Sequence, residues 1–512
     1  MYTGTFPRDK KEQIVNTQAH THQREGVLVE PYRRLTEKQI SVIDSVSRRL
    51  LEDPGLLCYN SRAAALFREA GAQVTDETEC VRISIPSDII DRILDTAPSK
   101  IVLGAVDPDN RLILDAHEPR VRFASGAETN IWLDISFGDS GPEYQREPGS
   151  ISRLCQAAHL AEHLEHLDSF IRCVNIRDRE VTGENKDVNK FLASLNNITK
   201  HVQAGLTDID ALDDIVRIGE IIAGGAKAFR ENPVLSFITC VVKSPLQIVD
   251  DTAEKLIEMS GRRVPVVISS SPMGGATAPF DEFGMAAQIN AELLAGVALN
   301  QLTAPGAPVL YGAVAVRTRL DNLNDMYGAP EFNHYNSDCA QLARFYGLPC
   351  YSSAGVGDAQ QPGIQATAEK LVTLTEVPKA GAQYIHYAFG LLERTNVFCP
   401  EQAVMDNAHI GIVKHMLRQP AIDEPGGDDV LETVREVMDT DHKTYVYHLP
   451  LPTRDPVYVK YPLEHGSGDA LAAAHEQYRE ITERPRTHLP EGIQRDIREH
   501  VNGILPQTLN TE

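Results

Sequence analysis

The chain has 512 residues, and its 49 lysines and arginines against 72 aspartates and glutamates give a formal net charge of −23. This balance argues against nucleic acid as a partner, since Lys and Arg must neutralise phosphates, and against adsorption to an anionic membrane. With 42% hydrophobic and 24% charged residues, the composition is that of a globular protein with a large core.

Neither a transmembrane helix nor a secretion signal is expected from the sequence. It has no run of about 18 apolar residues, and its polar N-terminus lacks an apolar signal core. The eight cysteines are scattered without a CxxC pair, so neither a disulfide framework nor a closed structural zinc site is predicted. A cytoplasmic location is the simplest expectation.

The first 149 residues predict two regions. Residues 1–30 are polar and aperiodic, which indicates a flexible or partner-wrapping arm, and residues 31–149 predict a small α+β region. Thr36 and Gln39 match a capping box that starts a helix ended by Pro54 and Gly55. The other predicted elements are a helix over Ser61–Ala70, a strand over Val81–Ile85 and a helix capped by Ser87 that runs to Ile93.

Residues 150–419 alternate between short β-rich runs and longer helical runs. The predicted strands are Phe170–Val174, His201–Ala204, Val234–Val242, Val264–Ser269, Val309–Val316, Cys350–Ser353 and Tyr384–Ala388, with Val121–Ala124 as a possible eighth. The predicted helices are Ser150–Leu167, Asp208–Ala223, Leu246–Ser260, Phe283–Leu302, Ser337–Gly347, Gln365–Ala380 and Gln402–Leu417. Seven or eight such units favour an α/β fold with a closed (β/α)8 (TIM) barrel over an open doubly wound sheet.

Residues 420–512 predict an appendage outside this barrel. Asp423–Gly427 reads as a linker, Leu431–Met438 and Leu471–Thr482 as helices, and Pro450–Pro462 as an extended segment. Because both this appendage and the N-terminal arm are able to wrap a neighbour, a homo-oligomer is expected.

Sequence motifs for common cofactors are missing. No P-loop, no GxGxxG after a strand and no GxSxG elbow is present. His159, His163 and His166 share one face of a predicted helix, which suits either a zinc site or, as we favour, a solvated helix face. No metal is therefore assigned.

Aromatic residues make up only 6% of the chain but cluster between residues 309 and 400, near Asp325, Asp358 and Glu393. Rings beside acidic groups suit a quaternary ammonium ion, which cannot donate hydrogen bonds and is held by ring faces. The alternative is that the rings fill the barrel core. The clustered residues are Tyr311, Tyr327, Phe332, Tyr335, Tyr351, Tyr387, Phe389 and Phe398.

Four segments resemble the trimethylamine methyltransferase family. They are VPVVISSSPMGGATAPF (264–280), LLAGVALNQLTAPGAPVLYG (293–312), QLARFYGLP (341–349) and AQYIHYAFGLLE (382–393). The resemblance covers roughly residues 32–417 and implies a TIM barrel that moves a methyl group from a methylated amine to a corrinoid (cobalamin) protein. That partner protein carries the corrinoid cofactor.

The sequence is similar to the branch of this family without pyrrolysine, whose members demethylate quaternary amines such as glycine betaine. No non-standard residue is present, and Gln360 or Gln361 lies about where pyrrolysine would sit. The family's DMRTGAP appears as DMYGAP (325–330), and its PDAQA appears as PGIQA (362–366). Arg317 or Arg319 is a possible replacement for the missing arginine.

The resemblance and the chemistry together imply the site residues. A quaternary nitrogen leaves as a neutral tertiary amine, so no general acid is required, and the protein must desolvate the cation and orient one methyl. The alternatives are a methyltransferase for trimethylamine or another methylamine, a zinc-dependent methyltransferase using the histidine face, and a non-catalytic betaine-binding or regulatory module. The catalytic candidates are His386, Gln360 and Glu393; the substrate-binding candidates are Glu128, Trp132, Tyr311, Arg319, Tyr327, Phe332, His334, Tyr335, Tyr387 and Phe389; the cofactor-binding candidates are Gly274, Gly275, Gly355 and Gly357.

Overall fold

A computed structural model describes residues 24–419, 427–439, 463 and 469–509. Its centre is a large curled sheet of nine strands, eight of them parallel; from the second parallel strand onward each is paired to the next in chain order, and the eighth is paired to the first. The parallel strands are Arg120–Phe123, Ser169–Ile171, His201–Gly205, Leu235–Thr239, Val266–Ser270, Val309–Ala313, Cys350–Ser353 and Tyr384–His386. All eight predicted strands are therefore present.

The first two parallel strands also approach each other. Ala124 and Ser169 form an isolated parallel bridge. The backbone N–H of Asp168 donates to the Phe123 carbonyl at 2.7 Å, and the Asp168 carboxylate accepts from the Phe123 N–H at 2.8 Å. The ninth strand, Val27–Leu28, pairs antiparallel with Arg120 and Val121. Residues 24–30 of the predicted flexible arm thus contain a strand, and residues 1–23 lie outside the described residues.

Helices follow the parallel strands along the chain and cover the sheet. Glu282–Thr303 is apolar on nearly every side because it is buried between the sheet and the N-terminal helices. The helices of this region are Ile151–His163, Gly183–Leu195, Leu212–Ala223, Ala226–Glu231, Asp250–Gly261, Glu282–Thr303, Pro330–Phe345, Ile364–Lys379 and Pro400–Leu417, with a 3₁₀ turn at Ile209–Ala211.

The N-terminal region contains the helices Glu37–Glu52, Ser61–Glu69 and Ser87–Thr96. The predicted capping box of Thr36 and Gln39 is confirmed. The predicted cap at Ser87 is wrong: Pro86 precedes the first turn and no side chain caps it. A five-stranded sheet joins this region to the segment after Leu235–Thr239, in the order Val242–Lys243, Gln247–Ile248, Leu56–Cys58, Val81–Ser84 and Gln73–Asp76.

A hairpin of Lys100–Leu103 and Leu112–Asp115, joined through the 3₁₀ turn Pro108–Asn110, fills the interior of the curled sheet from the amino ends of its strands. It is held there because the Asp107 N–H donates to the Thr199 carbonyl at 2.9 Å. The hairpin side chains join one apolar cluster with inward-facing strand residues, and this cluster comprises Ile101, Leu103, Leu112, Leu114, Ala124, Ile171, Val267, Leu310, Val314, Tyr351 and Tyr384. Among the described residues, the hairpin therefore closes the interior at the amino ends of the strands.

Small sheets lie over the carboxyl ends of the parallel strands. One has four strands in the order Leu391–Leu392, Val397–Phe398, Ile131–Gly138 and Gly141–Pro148, and another has Met273–Gly274, Val316–Thr318 and Asp325–Met326. These pieces shape the loops that surround the opening.

The described C-terminal residues form the helices Gly427–Asp439, Ala470–Thr482, Glu491–His500 and Pro506–Leu509. Ala470–Thr482 packs against Ile151–His163 and Pro400–Leu417. The predicted helices at Leu431–Met438 and Leu471–Thr482 are confirmed, whereas the predicted extended segment Pro450–Pro462 and most of the linker Asp423–Gly427 lie outside the described residues. Within the part of the chain that is described, no helix is long and apolar enough to cross a membrane.

Candidate functional site

A cavity of about 280 Å³ opens at the carboxyl ends of the parallel strands. Each of the eight strands, or the loop directly after it, contributes to its wall. This is the end at which parallel α/β sheets place their ligands. The lining residues are Ala127, Glu128, Ile171, Arg172, Ala204, Gly205, Ile238, Cys240, Ser269, Ser271, Val314, Tyr351, His386 and Tyr387.

One wall of the cavity is aromatic. The His386 ring stacks on Tyr351 with centroids 4.2 Å apart, and it lies 3.6 Å from the ring of Tyr387. His386 Nε2 shares a hydrogen bond of 2.5 Å with Ser353 Oγ. Burial lowers the pKa of His386 well below its usual value, so the imidazole is neutral at pH 7 and does not repel a cationic ligand.

The position of the Tyr387 ring depends on an unusual backbone conformation. Tyr387 has φ of +72°, a left-handed conformation that costs about 1–2 kcal/mol for a residue with a side chain. Its N–H donates to the Ser125 carbonyl at 3.3 Å. A Cβ at Gly126 would lie 2.9 Å from the Tyr387 nitrogen, so glycine is needed there for this approach.

Two further predicted rings lie behind this wall. The Tyr327 ring contacts Tyr387 edge-on at 6.1 Å and Phe332 at 5.5 Å, and both Tyr327 and Phe332 are buried. They support the Tyr387 ring from outside and do not line the cavity.

The neighbouring part of the wall, after the first two parallel strands, is charged. Arg172, whose side chain is 4% exposed, forms an ion pair with Glu128, and Lys186 Nζ lies 3.3 Å from the same carboxylate. Burial alone would raise the pKa of Glu128, but the hydrogen bond and charge of Arg172 prevail and lower it to about 2. Nε and Nη1 of Arg172 are buried without a hydrogen-bond partner.

A buried ion pair supports this charged wall. Lys190 pairs with Asp187, both side chains being almost fully buried, and Lys190 Nζ donates to Thr207 Oγ1 at 3.1 Å. The Asp187 carboxylate also accepts from the N–H groups of Thr207 and Asp208 at 2.7 Å. Burial and the charge of Arg172 lower the pKa of Lys190 to about 8, so the ammonium remains charged at neutral pH.

The segments that carry the aromatic wall are held by a second buried ion pair. Lys370 Nζ lies 3.0 Å from Asp406, with the two side chains 1% and 0% exposed. Lys370 donates to the carbonyls of Gly355 and Leu391 at 2.6 and 3.0 Å, and Asp406 accepts from the Gly390 N–H at 2.7 Å. The pair thus connects the loops after the last two parallel strands.

Several predicted residues lie instead in a separate surface groove of about 190 Å³ formed by the outer loops. Its residues include Gln360, which is exposed, and Arg319, which pairs with Asp321 at 2.7 Å. Glu393, also in the groove, is ion-paired with Arg146. None of the three predicted residues lines the cavity.

The acidic residues expected beside the aromatic cluster are also engaged outside the cavity. Asp325 pairs with Arg394 at 3.0 Å, and Asp358 accepts from the N–H groups of Tyr327 and Gly328 at 3.0 and 3.1 Å. The carboxylate that does line the cavity is Glu128.

Other predicted side chains serve packing elsewhere. Trp132 donates to Asp134 at 2.8 Å under the Arg153 guanidinium, and Tyr311 points into the helix layer, where its hydroxyl donates to Asn290 at 2.8 Å. His334 lies 2.8 Å from Glu282 on the outer surface. Tyr335, Phe389 and Arg317 also lie outside the cavity lining, and Arg317 is ion-paired with Glu331.

The predicted cofactor-binding glycines permit close packing. Gly355 has φ of +83°, and a Cβ there would lie 2.6 Å from the Ala388 Cα. A Cβ at Gly274 would lie 2.9 Å from the Tyr335 hydroxyl, one at Gly275 would lie 2.9 Å from Phe280, and one at Gly357 would collide with the Glu369 carboxylate. All four positions are thus explained by neighbouring protein atoms.

The histidine face lies beneath the C-terminal helix and not in solvent. His159 Nε2 is 2.9 Å from the Ile481 carbonyl, and the rings of His159 and His163 meet edge-on at 4.9 Å. Among the described residues, no three His, Cys, Asp or Glu side chains are arranged to hold a metal ion. The predicted helix ends at His163, so His166 lies beyond it, against Gly411 of the helix Pro400–Leu417. The favoured interpretation as one solvated face is therefore wrong, because Ala470–Thr482 covers His159 and Pro400–Leu417 covers His166.

Two features of the cavity escaped sequence reasoning. Arg172 was not singled out, because one arginine after a predicted strand carries no motif. Tyr351 belonged to the aromatic cluster but was not among the site candidates, although its ring lies in the cavity wall. The structure brings together Glu128, His386 and Tyr387 from the candidates and adds these two residues.

Comparison with known proteins identifies relatives along most of the chain. The family model described as trimethylamine methyltransferase (MTTB) matches residues 7–446. A trimethylamine methyltransferase of Desulfitobacterium hafniense is 28% identical over 479 residues, 92% of this chain and 93% of the relative. One from Methanosarcina barkeri is 29% identical over 395 residues, 76% and 77% of the two chains. A glycine betaine methyltransferase of Desulfitobacterium hafniense is 26% identical over 411 residues, 80% and 82% of the two chains.

Proposed function

Since the chain belongs to the trimethylamine methyltransferase family and is a methyltransferase, we propose that its substrate is a quaternary amine, glycine betaine or a related compound. The methyl acceptor is the Co(I) corrinoid of a partner protein. The observation that carries this proposal is the cavity itself: a small site, walled by the rings of Tyr351 and Tyr387 and by a neutral imidazole, at the carboxyl ends of parallel strands.

The aromatic wall suits a quaternary nitrogen. A trimethylated cation has no N–H to donate, so it gains from ring faces what a primary ammonium gains from hydrogen bonds. Closing the cation among these rings removes water and competing nucleophiles, and it restricts the direction in which a methyl group faces. Tyr327 and Phe332 keep the Tyr387 ring in place during this alignment.

The transfer step needs no proton from the protein. A Co(I) corrinoid of the partner would supply an electron pair that takes up the methyl carbon, the carbon–nitrogen pair would pass to nitrogen, and the product would leave as a neutral tertiary amine. This agrees with a neutral His386 and with ionised Glu128, neither of which is an acid at pH 7. A cavity of about 280 Å³ accommodates a small amine and is too small for a corrinoid ring, so the acceptor must meet the methyl group at its mouth.

The architecture proposed from the sequence fits this function. The contacts of Phe123 and Ala124 with Asp168 and Ser169 support closure of the eight parallel strands into a (β/α)8 barrel. We retain the division into an N-terminal arm (1–30), an α+β region (31–149), a barrel (150–419 with the strand near 121–124) and a C-terminal appendage (420–512). A homo-oligomer also stays a prediction.

A substrate panel tests the proposed function. Purified protein with free cob(I)alamin, and with candidate corrinoid proteins, is expected to produce methylcob(III)alamin absorbance from glycine betaine, proline betaine or carnitine. The protein without an acceptor should show no turnover. Transfer from trimethylamine alone would assign the chain to the other substrate class, and binding without transfer from any amine would favour a non-catalytic betaine-binding module.

A further inference from the structure

We propose that Arg172 binds the carboxylate of the substrate and thereby selects amines that carry both a quaternary nitrogen and a carboxylate. This inference rests on the proposed function, since it concerns the same cavity. It assigns a specificity-determining residue in the loop that follows the strand Ser169–Ile171.

Arg172 has hydrogen-bond donors that no other residue satisfies. A guanidinium has five N–H donors, and the ion pair with Glu128 uses Nη2. Nε and Nη1 have no partner although the side chain is 96% buried and lines the cavity. Buried donors are rarely left unsatisfied, and a carboxylate can accept from Nη1, or from Nε, together with the second N–H of Nη2.

The charges around Arg172 are not balanced. Three cations, Arg172, Lys186 and Lys190, face two carboxylates, Glu128 and Asp187. Because Lys186 shares the Glu128 carboxylate and Lys190 is paired with Asp187, one positive charge at this wall lacks a counter-ion. An incoming carboxylate supplies it, whereas a ligand that carries only a positive charge gains nothing from this wall.

The rings and the basic groups occupy neighbouring parts of the cavity wall. The rings, on Tyr351, His386 and Tyr387, come from the last two parallel strands, and Glu128 and Arg172 follow the first two, the first of which pairs with the last. A zwitterion that places its quaternary nitrogen against the rings presents its carboxylate toward the basic wall. Neither choline nor tetramethylammonium has a carboxylate that could bind to the basic wall.

The variant Arg172→Gln tests this assignment by calorimetric titration with glycine betaine, choline and tetramethylammonium. The substitution should weaken betaine binding about 10- to 100-fold, the range for loss of charge-assisted hydrogen bonds, and leave the affinity for choline within about 2-fold of its original value. Arg172→Lys keeps the charge and loses the fork, so it should recover part of the betaine affinity. Arg179→Gln, at an exposed arginine of the same loop, is the matched control and should change neither affinity.

The outcomes separate the anchor from the function. If betaine is demethylated but Arg172→Gln weakens betaine and choline equally, the anchor is wrong and the proposed function stands. If the unaltered protein prefers choline to betaine, the selection for zwitterions is likewise wrong. If no quaternary amine binds or donates a methyl group, both the anchor and the proposed function fail.

Discussion

Replacing Tyr351 and Tyr387 together by leucine is expected to raise the KM for the quaternary amine by about 100-fold, because two desolvated ring faces each contribute about 1–2 kcal/mol to binding a cation. Leucine fills most of the volume and removes the negative ring face. The Tyr351→Phe/Tyr387→Phe protein is the matched control. Its KM should stay close to that of the unaltered enzyme because both ring faces remain.

Steady-state methyl transfer to a corrinoid, measured over a range of amine concentrations, gives kcat and KM. The cation–ring account expects the effect mainly in KM. If the KM of the phenylalanine variant is as high as that of the leucine variant, the hydroxyl groups and not the ring faces bind the substrate. The proposed role of the aromatic wall would then be wrong.

Replacing Lys370 by methionine is expected to lower the free energy of unfolding by about 3–5 kcal/mol, since it leaves Asp406 buried and uncompensated. The same change releases the carbonyls of Gly355 and Leu391, which hold the loops of the aromatic wall. Methyl transfer should therefore decrease even at temperatures where the variant remains folded. Urea denaturation together with the transfer assay measures both effects.

The double variant Lys370→Met/Asp406→Leu is the control for this ion pair. Removing both charges leaves no buried unpaired ion, so the double variant should be more stable than Lys370→Met alone. If the double variant unfolds at the same or a lower urea concentration than the single variant, the loss of stability comes mainly from the lost loop hydrogen bonds and not from the uncompensated charge.

The parallel strands were predictable because most of them contain β-branched or aromatic residues, and several are followed by small residues at their carboxyl ends. Val266–Ser270, for example, is followed by residues 271–275 (SPMGG), and Cys350–Ser353 is followed by residues 354–355 (AG). Such strands are buried on both faces, so their apolar runs stand out against the intervening helices.

The helix Gly183–Leu195 was missed for a physical reason. Its buried face carries Asp187, Asn189 and Lys190, so the apolar periodicity that announces a helix is replaced by polar residues. Those residues are satisfied by an ion pair and by backbone groups of distant loops. No spacing rule applied to one sequence reports such partners.

The site was predicted only in part. His386, Tyr387 and Glu128 were candidates from the sequence and the family resemblance, and all three line the cavity. The importance of Arg172 comes from what its side chain lacks, two hydrogen-bond partners at a buried position, and this appears only in three dimensions. The acidic residues 325, 358 and 393 are adjacent to rings in sequence, yet each is neutralised or hydrogen-bonded by neighbouring loops.

The central claim is that this chain transfers an intact methyl group from a quaternary amine to cobalt. Glycine betaine with all three N-methyl groups deuterated, incubated with the protein and a Co(I) corrinoid acceptor, tests it directly by mass spectrometry. The account predicts trideuteromethyl-cobalamin and hexadeuterated dimethylglycine in equal amounts, both dependent on the protein. Dimethylglycine without methylcobalamin, or no product from betaine and the other quaternary amines, would contradict it.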